Sequence, residues 1–336
     1  MATNLKYDEL FKMDSSYRSV VGGLKNPHLV SVARTYLRNM DRFSAAASLP
    51  GNLLLNSIYQ QEVICETLRK YDANRVKNEC DQWGHHPEKM NTNERAVFDA
   101  LFREAKVHFA SHREDEKVRE HHHKVTMDRV AVFAESEDGI SFGVESFLAS
   151  LIVHMWSNFE ILAGDLWETA INFGPSSWRE GLVVTDGEQP HKKNEKKLPE
   201  YKFSISDLEN PEYDLGLDLR NKIGTMARLK NTVKFSSWAK AEFAYRKFVN
   251  LQADRFFDLP EHHDVKGLSA LRNLLVHKAG RVDSAFERQV KKYELFSGYG
   301  PGEEIPIDGV LVRRLCDSAA ALCNSLLIHV DHNIKT

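Results

Sequence analysis

Phe147-Leu148-Ala149-Ser150-Leu151-Ile152-Val153-His154-Met155-Trp156 is the most apolar stretch of this chain and the centre of a longer apolar segment, 144–173. At 3.6 residues per turn, Phe147, Leu148, Leu151, Ile152, Val153, Trp156, Phe159 and Leu162 fall on nearly every face of that segment. A helix that is apolar nearly all round belongs inside a core. The segment therefore predicts a buried central helix, and Gly174-Pro175 ends it. The apolar stretch itself contains His154 and reads as too short to span a bilayer.

Toward the C-terminus, residues 176–214 are polar and punctuated by Asp186-Gly187, Gln189-Pro190, Leu198-Pro199 and Asn210-Pro211. They read as an insertion and not as a core element. Helical patterns follow over 217–231 and 236–251, and Leu259-Pro260 breaks the chain. The next helix covers 264–279, with Asp264 as its N-cap and Gly280 at the left-handed position after its end. A glycine-containing loop (Gly298, Gly300, Gly302) leads to a final helix capped by Asp308. That helix lines up Leu311, Leu315, Ala319, Leu322 and Leu326 on one face.

Toward the N-terminus the signals are weaker. Helices are expected over 29–83, interrupted at Leu49-Pro50-Gly51, and over 95–109 behind Thr92 or Asn93. Residues 112–124 are almost wholly charged and read as an exposed helix extension or a loop. Val130-Ala131-Val132-Phe133 has the composition of a short strand, and Ser136-Glu137-Asp138-Gly139 has that of a boundary. The expected fold is all-α. A helical N-terminal region, 1–139, precedes a bundle of four or five helices over 140–336.

A chain of 336 residues with 42% hydrophobic and 28% charged residues has the composition of a globular protein. Residues 1–14 lack the basic and apolar regions of a secretory signal, so a cytoplasmic location without membrane attachment is expected. Cys65, Cys80, Cys316 and Cys323 include no Cys-x-x-Cys pair and read as reduced core thiols. The net charge of −3 argues against a general nucleic-acid binder. Its distribution points elsewhere: 216–292 holds 16 Lys plus Arg against 8 Asp plus Glu, a local +8, leaving −11 for the remainder. Such a basic segment reads as an electrostatic footprint for phosphate, or alternatively as a set of solvated helix faces.

Within that segment stands Arg272-Asn273-Leu274-Leu275-Val276-His277-Lys278-Ala279-Gly280-Arg281-Val282-Asp283. Helical spacing puts Leu268, Leu271, Leu275 and Ala279 on one face, toward the core. Asn273 and His277, four apart, share the opposite side with Lys266. A histidine there can donate or accept a proton near neutrality. Arg272 is offset from His277 by about 140°, so one straight helix does not align the two. Either the arginine reaches round, or another element or a second subunit completes the site. Arg-to-His spacing of this kind is common by chance, and only the surroundings single this case out.

The stretch from Ala270 to Asp283 resembles the motif helix of the HEPN superfamily, most closely the branch called RiboL-PSP-HEPN. Lys234-Phe235-Ser236-Ser237-Trp238 and the residues up to Phe248 are similar to the preceding helix of that branch. Trp156-Ser157-Asn158-Phe159-Glu160 is similar, more loosely, to its first helix. The resemblance covers about residues 140–336; residues 1–139 carry none. It implies a helical bundle that forms a homodimer with two motif helices across a shared cleft. It further implies metal-independent RNA cleavage to 2′,3′-cyclic phosphate and 5′-hydroxyl ends, with no cofactor. His277 is then the general base or acid, Arg272 holds the scissile phosphate, and Asn273 orients the motif or bonds the phosphate. Lys278 and Arg281 become candidate substrate-binding residues. The biological setting implied is a toxin or antiviral-defence effector with an antitoxin or defence partner. The alternative is a non-catalytic RNA-binding or protein-interaction module on the same fold.

Other constellations argue less. Adjacent histidines such as His85-His86 and His121-His122-His123 do not converge on one ion within a helix and read as surface residues. His262-His263 reads as loop, with substrate contact as the alternative. Trp156, Trp167 and Trp238 read as core or interface, not as base-stacking platforms.

Overall fold

The computed structural model describes residues 17–71, scattered positions between 92 and 125, 138–179, 182–184, 201–203, 222–230, 233–249, and 257–334 apart from 258, 260, 261 and 292. Among these, helix dominates, as the all-α expectation requires. The helices are α1 (Tyr17–Gly22), α2 (Pro27–Tyr71), α3 (Asp138–Phe173), α4 (Ile223–Leu229), α5 (Trp238–Phe248), α6 (His263–Lys278), α7 (Ser284–Val290) and α8 (Gly309–Asn333). The described strands are β1 (Leu182–Val184) and β2 (Tyr201–Phe203), paired in parallel.

The chain forms two compact units, Met1–Phe11 with Ala45–Val144, and Lys12–Ser44 with Glu145–Thr336. A single cut at 136–139 therefore misplaces residues 12–44, which belong with the C-terminal unit. In the first unit the described positions of the expected 95–109 helix are helical, whereas Val130-Ala131-Val132-Phe133 lie outside the described residues. The expected interruption at Leu49-Pro50-Gly51 does not occur: α2 runs through Pro50. Proline removes one helical hydrogen bond and crowds the carbonyl four residues back, but helical residues on both sides carry the helix through.

In the second unit, Asn26 caps α2 by accepting from the His28 N–H at 2.9 Å, and Pro27 occupies the first helical position where a missing N–H costs nothing. The buried Asp331 carboxylate of α8 accepts from the backbone N–H groups of Lys25 (3.0 Å) and Asn26 (2.8 Å). This tie spans 305 residues and explains why residues 12–44 join the C-terminal unit. His28 stacks on Phe173 at 3.7 Å.

α3 is the core helix, with Leu148, Ile152, Trp156, Phe159, Leu166 and Trp167 fully buried. Its length corrects one expectation. Over Ser141–Phe173 it is long and apolar enough to cross a membrane, so shortness is not what argues against a span. The argument is burial: 56% of its most apolar window lies inside the protein, covered by the chain's own side chains. After Gly174, the Arg179 guanidinium caps the α3 C-terminus by donating to the carbonyls of Ile171 (2.8 Å) and Asn172 (2.7 Å). Trp178 is buried, so the start of the 176–214 segment belongs to the core and not to an external insertion.

α4 lies close against α3. A Cβ on Gly224 would come within 2.6 Å of the Glu168 carbonyl oxygen, and the Gly224 N–H donates to Asn172 Oδ1 at 2.8 Å. Arg228 of α4 binds both Asp165 and Glu168 of α3. Burial opposes the Arg228 charge, and the two carboxylates more than offset it, raising its pKa. α4 is shorter than the expected 217–231: Lys222 precedes it and Leu229 ends it. α5 docks through the buried Tyr245, whose hydroxyl donates to the Ala163 carbonyl at 2.8 Å. Trp156, Trp167 and Trp238 are core residues, as expected. α8 starts at the predicted cap, where Asp308 accepts from the Leu311 N–H at 2.8 Å. Leu311, Leu315, Ala319, Leu322 and Leu326 form its buried face, and Cys316 and Cys323 are buried free thiols. Cys65 and Cys80 lie outside the described side chains.

Candidate functional site

α6 carries the motif and changes character along its length. Its first half is enclosed: Val265, Leu268 and Leu271 are fully buried and Leu274 nearly so. The backbone N–H of Trp238 donates to Ser269 Oγ at 3.1 Å, tying α5 to this half. Gly267 allows the turn Glu294–Phe296 to press on the helix, since a Cβ there would lie 2.5 Å from Phe296 Cε2. The second half leaves the core. Leu275 is half-buried, and Val276, His277, Lys278 and Ala279 are exposed. Leu268 and Leu271 thus face the core as expected, whereas Leu275 and Ala279 do not; Leu274 takes the buried place. The packing partners end before the last turn, so helical spacing stops dictating burial there.

Both ends of α6 differ in detail from expectation. The helix begins at His263 with buried His262 as N-cap, and Asp264 sits inside the first turn. The Asp264 carboxylate accepts from Arg314 Nε of α8 at 2.7 Å instead of capping the backbone. Full burial also removes His262 from any role as an open substrate contact; the His263 side chain lies outside the described residues. At the other end the helix stops at Lys278. Ala279 adopts φ 49° and Gly280, at the predicted position, φ 84°. A left-handed alanine costs roughly 1–2 kcal/mol.

Of the predicted site residues, Arg272 and Asn273 are brought together. Both are half-buried, and Arg272 Nη1 donates to Asn273 Oδ1 at 2.9 Å. Arg272 Nε is buried and has no hydrogen-bond partner among the described residues. His277 lies on the exposed last turn. Because α6 is helical from His263 to Lys278, Arg272 and His277 stay about 140° apart round its axis and about 7.5 Å apart along it. The backbone of one copy of α6 therefore does not align the two residues, although the Arg272 guanidinium turns to Asn273, on the His277 side of the helix. Lys278 is exposed, and Glu160 of α3 is half-buried. Arg281 is exposed but engaged, its Nε 3.0 Å from Glu304 Oε1.

The local positive charge is likewise part-spent. Arg228 pairs with Asp165 and Glu168, Arg246 with Glu242, and Arg281 with Glu304. Sequence reasoning missed Glu304. The acidic doublet Glu303-Glu304 after the glycine-rich loop was visible, but nothing in a separation of 23 residues pointed to Arg281. Lys266, expected on the side of Asn273 and His277, is half-buried, its ammonium 5.8 Å from the Trp238 ring centre. His85-His86 and His121-His122-His123 lie outside the described residues. Comparison with protein-family models, curated proteins and solved structures gave no match.

Proposed function

We propose that this protein is a metal-independent endoribonuclease of the HEPN type, acting through Arg272, Asn273 and His277. The observation that carries the reading is the division of labour on α6: a half-buried guanidinium held by its neighbour's amide oxygen, and a solvent-facing imidazole on the last turn. Cleavage by 2′-hydroxyl attack forms a bond from the 2′-oxygen to phosphorus and breaks the bond to the 5′-oxygen. The 2′-oxygen loses a proton and the 5′-oxygen gains one. An exposed histidine suits either transfer. A preorganised guanidinium stabilises the charge that builds on the phosphoryl oxygens.

The angular offset of Arg272 from His277 supports a site completed by a second copy of the chain, as the HEPN resemblance implies. Lys278 and Arg281 would extend the contact along the RNA backbone. A toxin or defence effector with a neutralising partner, working in the cytoplasm, is the setting that fits such an activity. The same offset supports a second reading, a non-catalytic RNA-binding or protein-interaction module. The test is cleavage of bulk tRNA and mRNA in EDTA by the wild-type protein beside His277→Ala. Loss of cleavage in the variant supports the enzyme. RNA binding without cleavage in either protein supports the module.

A further inference from the structure

Beyond the end of α6, at Arg281, four residues after His277, the chain pairs with the segment that precedes α8. Arg281 and Glu304 form an antiparallel bridge. The Val282 N–H donates to the Glu303 carbonyl, and the Gly302 N–H donates to the Val282 carbonyl, each at 2.8 Å. These backbone bonds fix the residue Glu304 opposite Arg281 and keep the carboxylate within reach of the guanidinium. Yet the side chains are 70% and 66% exposed, so the ion pair itself is weak and open to exchange.

We propose that Glu304 is an internal competitor for phosphate at Arg281, occupying the cation until an RNA phosphate replaces it. This inference rests on the reading of the α6 end as an RNA-contacting surface. A carboxylate and a phosphate monoanion offer a guanidinium the same pair of acceptor oxygens. Held in place by the backbone, Glu304 lowers the affinity of the site for any single phosphate. It favours ligands that engage Arg281 together with other cations such as Lys278. The exchange also has a signature in salt. When Arg281 trades Glu304 for a phosphate, salt that weakens the new contact has also weakened the competing ion pair. Arg281 then adds less to the salt dependence of binding than an unpaired Arg281 would.

The experiment measures binding of a labelled 2′-O-methyl oligoribonucleotide, which cannot be cleaved by 2′-hydroxyl attack, across a salt series. Wild type is compared with Glu304→Gln, Arg281→Gln, the double variant and Glu294→Gln. Glu294 is an exposed carboxylate that makes no ion pair among the described residues, so it controls for net charge alone. Glu304→Gln is expected to bind about two- to fivefold more tightly than wild type. Its plot of log affinity against log salt should steepen, by less than the ~0.7 of a whole added phosphate contact. Both gains should vanish when Arg281→Gln is added. Equal tightening by Glu304→Gln and Glu294→Gln, or a gain that survives in the double variant, overturns this inference and leaves the ribonuclease reading standing. No salt-dependent binding by any of the proteins overturns both.

Discussion

Arg272 Nη1 donates to Asn273 Oδ1 at 2.9 Å, so the motif's guanidinium is oriented by the residue next to it in the chain. Hydrogen bonds to charged groups contribute about 1.5–3 kcal/mol. If that orientation serves the transition state, Asn273→Ala lowers kcat by about tenfold or more with a smaller change in KM. Steady-state cleavage of a defined RNA measures this. An unchanged kcat would show that Arg272 needs no such support.

The close approach of Gly267 and Phe296 predicts a stability effect. Alanine favours a helix interior over glycine by about 1 kcal/mol. At this position its Cβ would sit 2.5 Å from Phe296 Cε2. Gly267→Ala should therefore destabilise the protein by about 1–3 kcal/mol, as overpacked cores do. Urea denaturation decides the sign; a stabilised variant would mean that the Glu294–Phe296 turn yields freely.

At Ala279 the sign reverses. Its φ of 49° strains an L side chain, so Ala279→Gly should raise stability by up to about 1 kcal/mol after the greater freedom of glycine in the unfolded chain is subtracted. The same substitution inside a helix would lower it. A lower midpoint for Ala279→Gly would contradict the left-handed assignment.

These cases show where the sequence was informative. Asp308 and Gly280 were legible because caps depend on local chemistry: a short acceptor before an apolar run, and a glycine where the chain turns left-handed. The buried face of α8 was legible because a helix packed along its length repeats every 3.6 residues. Asp264 was misjudged because Arg314, 50 residues away, takes its carboxylate. The N-terminal boundary was misjudged for a similar reason, since the bond from Asn26 to Asp331 is invisible to local pattern. At the candidate site, the residue types were legible and the exposure of His277 was inferred correctly. The Glu304 contact to Arg281 was not, because tertiary pairing, and not spacing, creates it.

Stability should also depend on alkaline pH through Cys323. Burial pushes its thiol from 9.0 up to about 12, and the Tyr36 hydroxyl partly opposes the rise. The folded state thus keeps a proton that the unfolded chain releases above about 9. The stabilisation is complete below that value and is lost as pH rises toward about 12. Each such thiol steepens the loss by up to about 1.4 kcal/mol per pH unit. Replacing Cys323 by Ala should flatten the decline of the unfolding free energy across that window. An identical slope would show that other groups govern it.

The central claim is chemical, and the ends of the RNA fragments test it most directly. Mass spectrometry of products formed in EDTA should show 2′,3′-cyclic phosphate and 5′-hydroxyl termini from the wild-type protein. Neither should form with Arg272→Ala or His277→Ala. Fragments ending in 3′-hydroxyl and 5′-phosphate, or cyclic-phosphate ends formed equally by the His277→Ala protein, would contradict the account.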